Sequence, residues 1–127
     1  MTAPANTGSR DPPVAKLTLS PREVHDRMTN SSAIYVDVRT PTEFAEGHIP
    51  DAINVPLTTP DMKPLPSFVD DFRAAVGDAS DIIVGCKSGK RSSNAITQLH
   101  QAGFKQLLEL EGGFSSWLED SNLPVAK

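Results

Sequence analysis

Cys86 is the only cysteine among 127 residues, and it is followed by Lys87-Ser88-Gly89-Lys90-Arg91-Ser92. Three of the chain's twelve Lys and Arg residues therefore stand within five positions of its one thiol. Such a thiol, if ionised, is a nucleophile, and the cations beside it suit a small anionic substrate. A lone cysteine more commonly serves as a small buried hydrophobe, and a cationic run more commonly coats a helix entry. Here the cations would sit at a helix N-terminus and oppose its macrodipole, at a cost of about 0.3–1 kcal/mol each. That cost argues for a use. One cysteine also excludes an internal disulfide, a cysteine-based metal site and an internal resolving thiol, and it fits a reducing compartment.

The flanking residues predict how the thiol is held. Asp81-Ile82-Ile83-Val84-Gly85 reads as a strand buried on both faces, and Ser92 to Ala102 as a helix with Ile96 and Leu99 inward and Gly103 beyond its end. Cys86 then lies just past the carboxyl end of a strand, the edge at which open α/β sheets bind ligands. A tight strand-to-helix loop turns successive amides inward, and Gly89 supplies the backbone freedom this requires. Those amides and the helix N-terminus would stabilise a thiolate, or a persulfide whose outer sulfur carries the charge. Lys87, Lys90 and Arg91 are candidates for attracting the substrate, and Ser88 for hydrogen-bonding it.

The rest of the chain alternates in the same way. Leu17 to Leu19 reads as a strand, and Ser20-Pro21-Arg22-Glu23 as a capping box opening a helix to about Met28. Ala33 to Val38 is a strand, Thr40 to Glu43 starts a short helix ended by Gly47, and Ala52 to Val55 is a third strand. Four prolines between Pro56 and Pro66 stiffen a loop. Ser67 to Val76 carries one apolar stripe, Lys105 to Glu109 is the last strand, and Phe114 to about Asp120 the last helix, with Trp117 in the core. Alternating strands and helices predict an α/β fold: a central, mostly parallel five-stranded sheet flanked by helices on both faces. Residues 1–15, rich in Pro, Ala, Thr and Ser, predict a flexible tail ahead of one domain over residues 16–127.

A net charge of −4 and a pI near 5.2 disfavour nucleic acid and anionic membranes as partners. No stretch approaches the ~20 apolar residues of a membrane span, and Met1 to Pro13 lacks the pattern of a secretory signal. A cytoplasmic setting is expected, or an organelle stroma or matrix if a transit peptide has been removed. His25, His48 and His100 are dispersed, so neither a metal nor an organic cofactor is expected.

Three segments resemble one known family. Asp37-Val38-Arg39-Thr40-Pro41-Thr42-Glu43-Phe44 with Gly47-His48-Ile49-Pro50-Asp51-Ala52-Ile53-Asn54-Val55-Pro56 is similar to the front motif of rhodanese domains. Cys86 to Ser92 resembles their active-site loop, and Glu111-Gly112-Gly113-Phe114 through Trp117 and Leu123-Pro124-Val125 their closing motif. The likeness runs from about Leu17 to Val125 and is nearest the single-domain thiosulfate sulfurtransferases of plants and bacteria. Asp51 and Asn122 stand where the family often has glycine, and asparagine tolerates the left-handed backbone that glycine would supply.

The resemblance implies a rhodanese-like fold and a thiosulfate sulfurtransferase working through a Cys86 persulfide. The acceptor would be cyanide or a thiol, such as glutathione or a thioredoxin-like protein. Lys87, Ser88, Gly89, Lys90, Arg91 and Ser92 would bind substrate. Asp37 and Arg39, at the same sheet edge, would brace the loop by ionic hydrogen bonds. Relatives that act on phosphate or arsenate use five residues between Cys and Arg, whereas four separate Cys86 from Arg91. The shorter cradle favours a single sulfur atom over a tetrahedral oxyanion. Mercaptopyruvate, with one carboxylate, would need less positive charge than this loop offers. A persulfide carrier serving a partner protein is the main alternative, and a Cys-dependent phosphatase or arsenate reductase a more distant one.

Overall fold

Two capping boxes fix where the first two helices begin. In the computed structural model, which describes residues 17–127, Ser20 and Glu23 exchange side-chain-to-backbone bonds at the start of α1 (Pro21–Asn30), and Thr40 and Glu43 do so at α2 (Pro41–Glu46). Each helix has Pro at its first position, where no amide hydrogen is needed. The predicted tail at residues 1–15 lies outside the described residues.

Around them run β1 (Thr18–Leu19), β2 (Ile34–Asp37), β3 (Ile53–Asn54), α3 (Phe68–Val76), β4 (Ile82–Gly85), α4 (Lys90–Gln101), β5 (Leu107–Leu110) and α5 (Gly113–Leu118). The strands form one sheet in the order β1-β5-β4-β2-β3, and every pairing in it is parallel. Two apolar layers cover the two faces. Phe68, Phe72 and Val76 of α3 with Ala95, Ile96 and Leu99 of α4 pack on Val36, Ile82 and Val84. Val24 of α1 with Phe114 and Trp117 of α5 packs on Tyr35, Ile83 and Leu110. The α/β architecture with helices on both faces is as the residue pattern predicts.

Several boundaries differ, each for a local reason. α4 starts at Lys90 rather than Ser92 because Gly89, at φ +111°, turns the chain at once and its carbonyl accepts the Ser93 amide. β5 starts at Leu107 rather than Lys105 because Phe104 is still tied to the end of α4, its amide bonding to Leu99. Asp51 is left-handed, at φ +69°, as its type allows, but Asn122 is not. The Asp120 carboxylate instead accepts the Asn122 amide and makes that turn without a positive φ.

Winding reverses between β2 and β4. The chain passes from β2 outward to β3, then crosses to β4 and continues to β5 on the other side. A crevice opens at the carboxyl ends of strands wherever such a reversal occurs. Asp37, at the end of β2, stands in register with Gly85, at the end of β4, and Cys86 follows.

Candidate active site

Residues 82–85 are buried throughout, so β4 presents Cys86 from a fixed base. The strand must end in glycine: a Cβ at Gly85 would overlap the hydroxyl of Tyr35, itself 1% exposed. Burial pushes the Tyr35 phenol well above its ordinary range, and neighbouring acidic groups push it further, so it stays neutral.

The Cys86 sulfur is buried and receives the Gly89 amide hydrogen at 3.0 Å (N···Sγ). It also lies 3.5 Å from the Ser92 hydroxyl oxygen, to which the thiol donates. Among the described residues, no partner takes the amide hydrogens of Lys87, Ser88, Lys90 or Arg91. The loop is suspended from the last helix, where the Phe114 amide donates to the Cys86 carbonyl at 2.7 Å and the Ser115 amide to the Lys87 carbonyl at 2.9 Å. Gly113, at φ +66°, makes this close approach possible.

The other candidates divide by position. Lys87 and Ser88 on the loop, and Lys90 at the start of α4, are exposed. Lys87 borders an open cleft of about 200 Å³ together with Arg39, Glu43, Gly47, Phe114 and Leu118. Ser92 is fully buried beneath the sulfur, its hydroxyl 2.6 Å from a carboxylate oxygen of Glu109. Arg91 is clamped by Glu43 at 2.7 and 3.0 Å, a two-bond pairing that fixes the far end of the loop against α2.

Asp37 and Arg39 make their ionic hydrogen bonds to each other, the closest at 2.8 Å, rather than to the loop. Arg39 also donates to the Gly47 carbonyl at 2.7 Å and lies under the Phe114 ring, 4.6 Å from its centre. Their support therefore reaches Cys86 through Phe114. His48 bonds the Phe44 carbonyl, a turn role that its place before Pro50 suggests.

Two acidic residues belong to this site that the loop sequence does not reveal. Glu43 is legible only as a helix cap, and Glu109 only as a charge in the apolar run Leu107 to Leu110. The Arg91 guanidinium, with the Thr40 bonds, holds the Glu43 carboxyl down at about 2, and Glu43 holds Arg91 more firmly protonated. A lowered carboxyl pKa stabilises the fold fully above its unfolded value near 4.5 and ceases to do so as pH falls toward 2. Glu43→Gln is expected to remove about 1–2 kcal/mol at neutral pH, less than the full shift because solvent screens a carboxylate that stays partly exposed. It should also flatten the loss of urea resistance that the parent chain suffers between those pH values, which denaturation curves along a pH series would show.

The sequence pattern of the Rhodanese-like domain family matches residues 20–120. "Thiosulfate sulfurtransferase 16, chloroplastic" of Arabidopsis thaliana is 43% identical over 89 residues, spanning 68% of this chain and 74% of that protein. "Rhodanese-like domain-containing protein 15, chloroplastic" of the same plant is 38% identical over 128 residues, spanning 95% of this chain and 70% of that protein. A crystal structure of a rhodanese-related protein from Thermoplasma volcanium superposes with a TM-score of 0.69 at 24% identity, covering 87% of this chain and 97% of the other. Among the described residues, no helix is long and apolar enough to cross a membrane.

Proposed function

Because the chain belongs to the rhodanese-like domain family, we propose that it is a sulfurtransferase that takes the outer sulfur of thiosulfate onto Cys86 and passes it to cyanide or a thiol. The carrying observation is the placement of the sulfur: Cys86 Sγ follows a buried strand with the Gly89 N–H on it at 3.0 Å, in a loop whose Lys87, Ser88, Lys90 and Arg91 amides have no partner among the described residues. Relatives named thiosulfate sulfurtransferase support both the reaction and the donor.

In the first half-reaction the Cys86 thiolate attacks the outer sulfur of thiosulfate. A bond forms between the two sulfurs, the S–S bond within thiosulfate breaks, and its electron pair leaves with sulfite. The charge then rests on the outer sulfur of a Cys86 persulfide, facing the amide hydrogens of Lys87, Ser88, Gly89 and Lys90. In the second half-reaction cyanide or a thiol such as glutathione attacks that outer sulfur, and Cys86 leaves as thiolate. A thioredoxin-like protein could present the same thiol. The exposed Lys87 and Lys90 raise the local concentration of a dianion. Arg91, held by Glu43, serves by fixing the loop, and Ser92 serves from beneath. No step calls for a metal or an organic cofactor, and nucleic acid and membrane have no part in it. We assign the reaction to the cytoplasm, or to an organelle stroma or matrix, a setting that relatives named chloroplastic support.

Intact-mass spectrometry after thiosulfate treatment is the direct test. The protein is expected to gain one sulfur atom, localised to Cys86 by peptide mapping and discharged by cyanide as thiocyanate. Recovery of an unmodified mass, or hydrolysis of an aryl phosphate in place of thiocyanate formation, would overturn the proposal. Loading only by a partner desulfurase would convert the reading to a persulfide carrier.

A further inference from the structure

The cleft beside Lys87 has no part in the transfer steps above, yet its walls carry charges with nothing bound to them. It lies between α2 and α5, against the residues that suspend the reactive loop: Phe114 lines it, and the Phe114 amide holds the Cys86 carbonyl. Its volume of about 200 Å³ equals roughly six or seven waters at about 30 Å³ each. Such a space takes a molecule of a few heavy atoms, or one end of a larger one.

Arg39 points most directly to a ligand. It lines the cleft although only 5% of it is exposed. Its Nε and Nη2 donate to Asp37 and to the Gly47 carbonyl, whereas nothing among the described residues accepts from Nη1. A guanidinium has five N–H donors, and buried donors are nearly always paired, so the two on Nη1 call for an acceptor.

The other walls complete the pattern. Lys87 is exposed and, among the described residues, has no ion pair. Glu43 does not oppose these cations, because Arg91 holds its carboxylate at 2.7 and 3.0 Å. Glu46, on α2, is exposed and likewise unpaired among the described residues. Phe114 and the 54% exposed Leu118 give the cleft an apolar side. Two cationic groups, one carboxylate and a short apolar wall suit a zwitterion on a short carbon chain.

We propose that this cleft receives the acceptor of the second half-reaction, and that the acceptor is an amino-acid thiol of about the size of cysteine. Its carboxylate bridges Arg39 Nη1 and the Lys87 ammonium, its amino group faces Glu46, and its carbon chain lies against Leu118. Lys87 follows Cys86 directly, so a molecule anchored there has its sulfur beside the loop. The thiol loses its proton to solvent, and the thiolate attacks the outer sulfur of the Cys86 persulfide. A bond forms between those two sulfurs, the bond from the outer sulfur to Cys86 Sγ breaks, and its electron pair stays on Cys86 as thiolate. The product is the persulfide of the amino acid, and the two negative charges present before the step are present after it.

The inference rests on Cys86 taking up sulfur, and the experiment separates the two. The full chain is loaded with thiosulfate, freed of donor and mixed with L-cysteine, 3-mercaptopropionate, 2-mercaptoethanol, sulfite or cyanide, and discharge is followed by intact mass. Ratios of variant to parent for each acceptor cancel the acidity of its own thiol. Leu118→Glu is expected to slow 3-mercaptopropionate about threefold or more, the scale of one charge at a partly exposed site, and to leave 2-mercaptoethanol and cyanide unchanged. Glu46→Gln is expected to slow L-cysteine by a similar factor while 3-mercaptopropionate holds or gains. Both positions are exposed, so neither change threatens the fold. Ratios near one for both variants would overturn the proposal. So would a loss for sulfite equal to that for 3-mercaptopropionate, the mark of a general field acting on any anion. A second measurement needs no transfer: the unreactive 3-(methylthio)propionate is titrated into isotope-labelled protein by NMR. Saturable shifts confined to the Lys87, Ser115 and Leu118 amides, and weaker in Leu118→Glu, support the cleft even if thiosulfate adds no sulfur, a result that sinks transfer alone. Sulfur uptake with unchanged ratios and no such shifts sinks the cleft alone.

Discussion

Cys86→Ser is expected to lower thiocyanate formation from thiosulfate and cyanide by at least about 10⁴-fold while leaving the fold intact. The hydroxyl that replaces the thiol still meets the Gly89 amide and the Ser92 oxygen, so no buried polar group loses its partner. Cys86 also packs within the layer formed by α3 and α4, and one smaller atom there costs about 1 kcal/mol or less. Chemistry, however, fails. A serine hydroxyl does not ionise near neutral pH, and it has no counterpart of a persulfide to wait between the two half-reactions. Two measurements check the result: steady-state thiocyanate formation, and the intact mass after thiosulfate, which should show no added sulfur. Undiminished turnover in this variant would place the nucleophile elsewhere.

Gly113→Ala should cost both stability and activity, although Gly113 bears no reactive group. A Cβ at that position would meet the Lys87 carbonyl oxygen at 2.5 Å and the Cys86 carbonyl oxygen at 2.6 Å. Both obstacles are backbone atoms, held where they are by the Phe114 and Ser115 amides. Relief requires α5 to draw away from the loop, which sacrifices those two hydrogen bonds at about 1 kcal/mol each. A left-handed backbone adds about 1–2 kcal/mol for any residue other than glycine. The expected loss is roughly 3–5 kcal/mol, a large part of a typical domain's stability. Denaturant titration should read it as a lower midpoint, and the fraction that stays folded should transfer sulfur slowly because the loop that carries Cys86 has lost its suspension from α5. Gly112→Ala offers the contrast. A Cβ there would meet the Ser116 side chain rather than fixed main chain, so a smaller loss is expected.

Glu43 and Glu109 show where reading the chain alone stops. Glu43 fits its sequence context fully as the third residue of a capping box, and nothing in Thr40 to Phe44 indicates that its carboxylate also holds Arg91, 48 positions later. The same holds for Glu109, 17 positions from the serine it accepts from. Asp37 and Arg39 carry a different lesson. Their proximity to the thiol follows from β2 and β4 being neighbours, but their bonding to each other and to Gly47 depends on the path of the turn after α2.

Local order therefore settled much of this protein. Capping boxes, a fully apolar strand and one glycine-hinged loop bearing the only cysteine determine which elements form and which atom reacts, because each depends on residues within a few positions of one another. Tertiary structure decided which amides suspend the loop, which carboxylate holds Arg91 and which lies behind the sulfur. Those partners come from α5, α2 and β5 and meet Cys86 only once the parallel sheet has brought separate stretches of chain together, since a parallel pairing has no short-range signature.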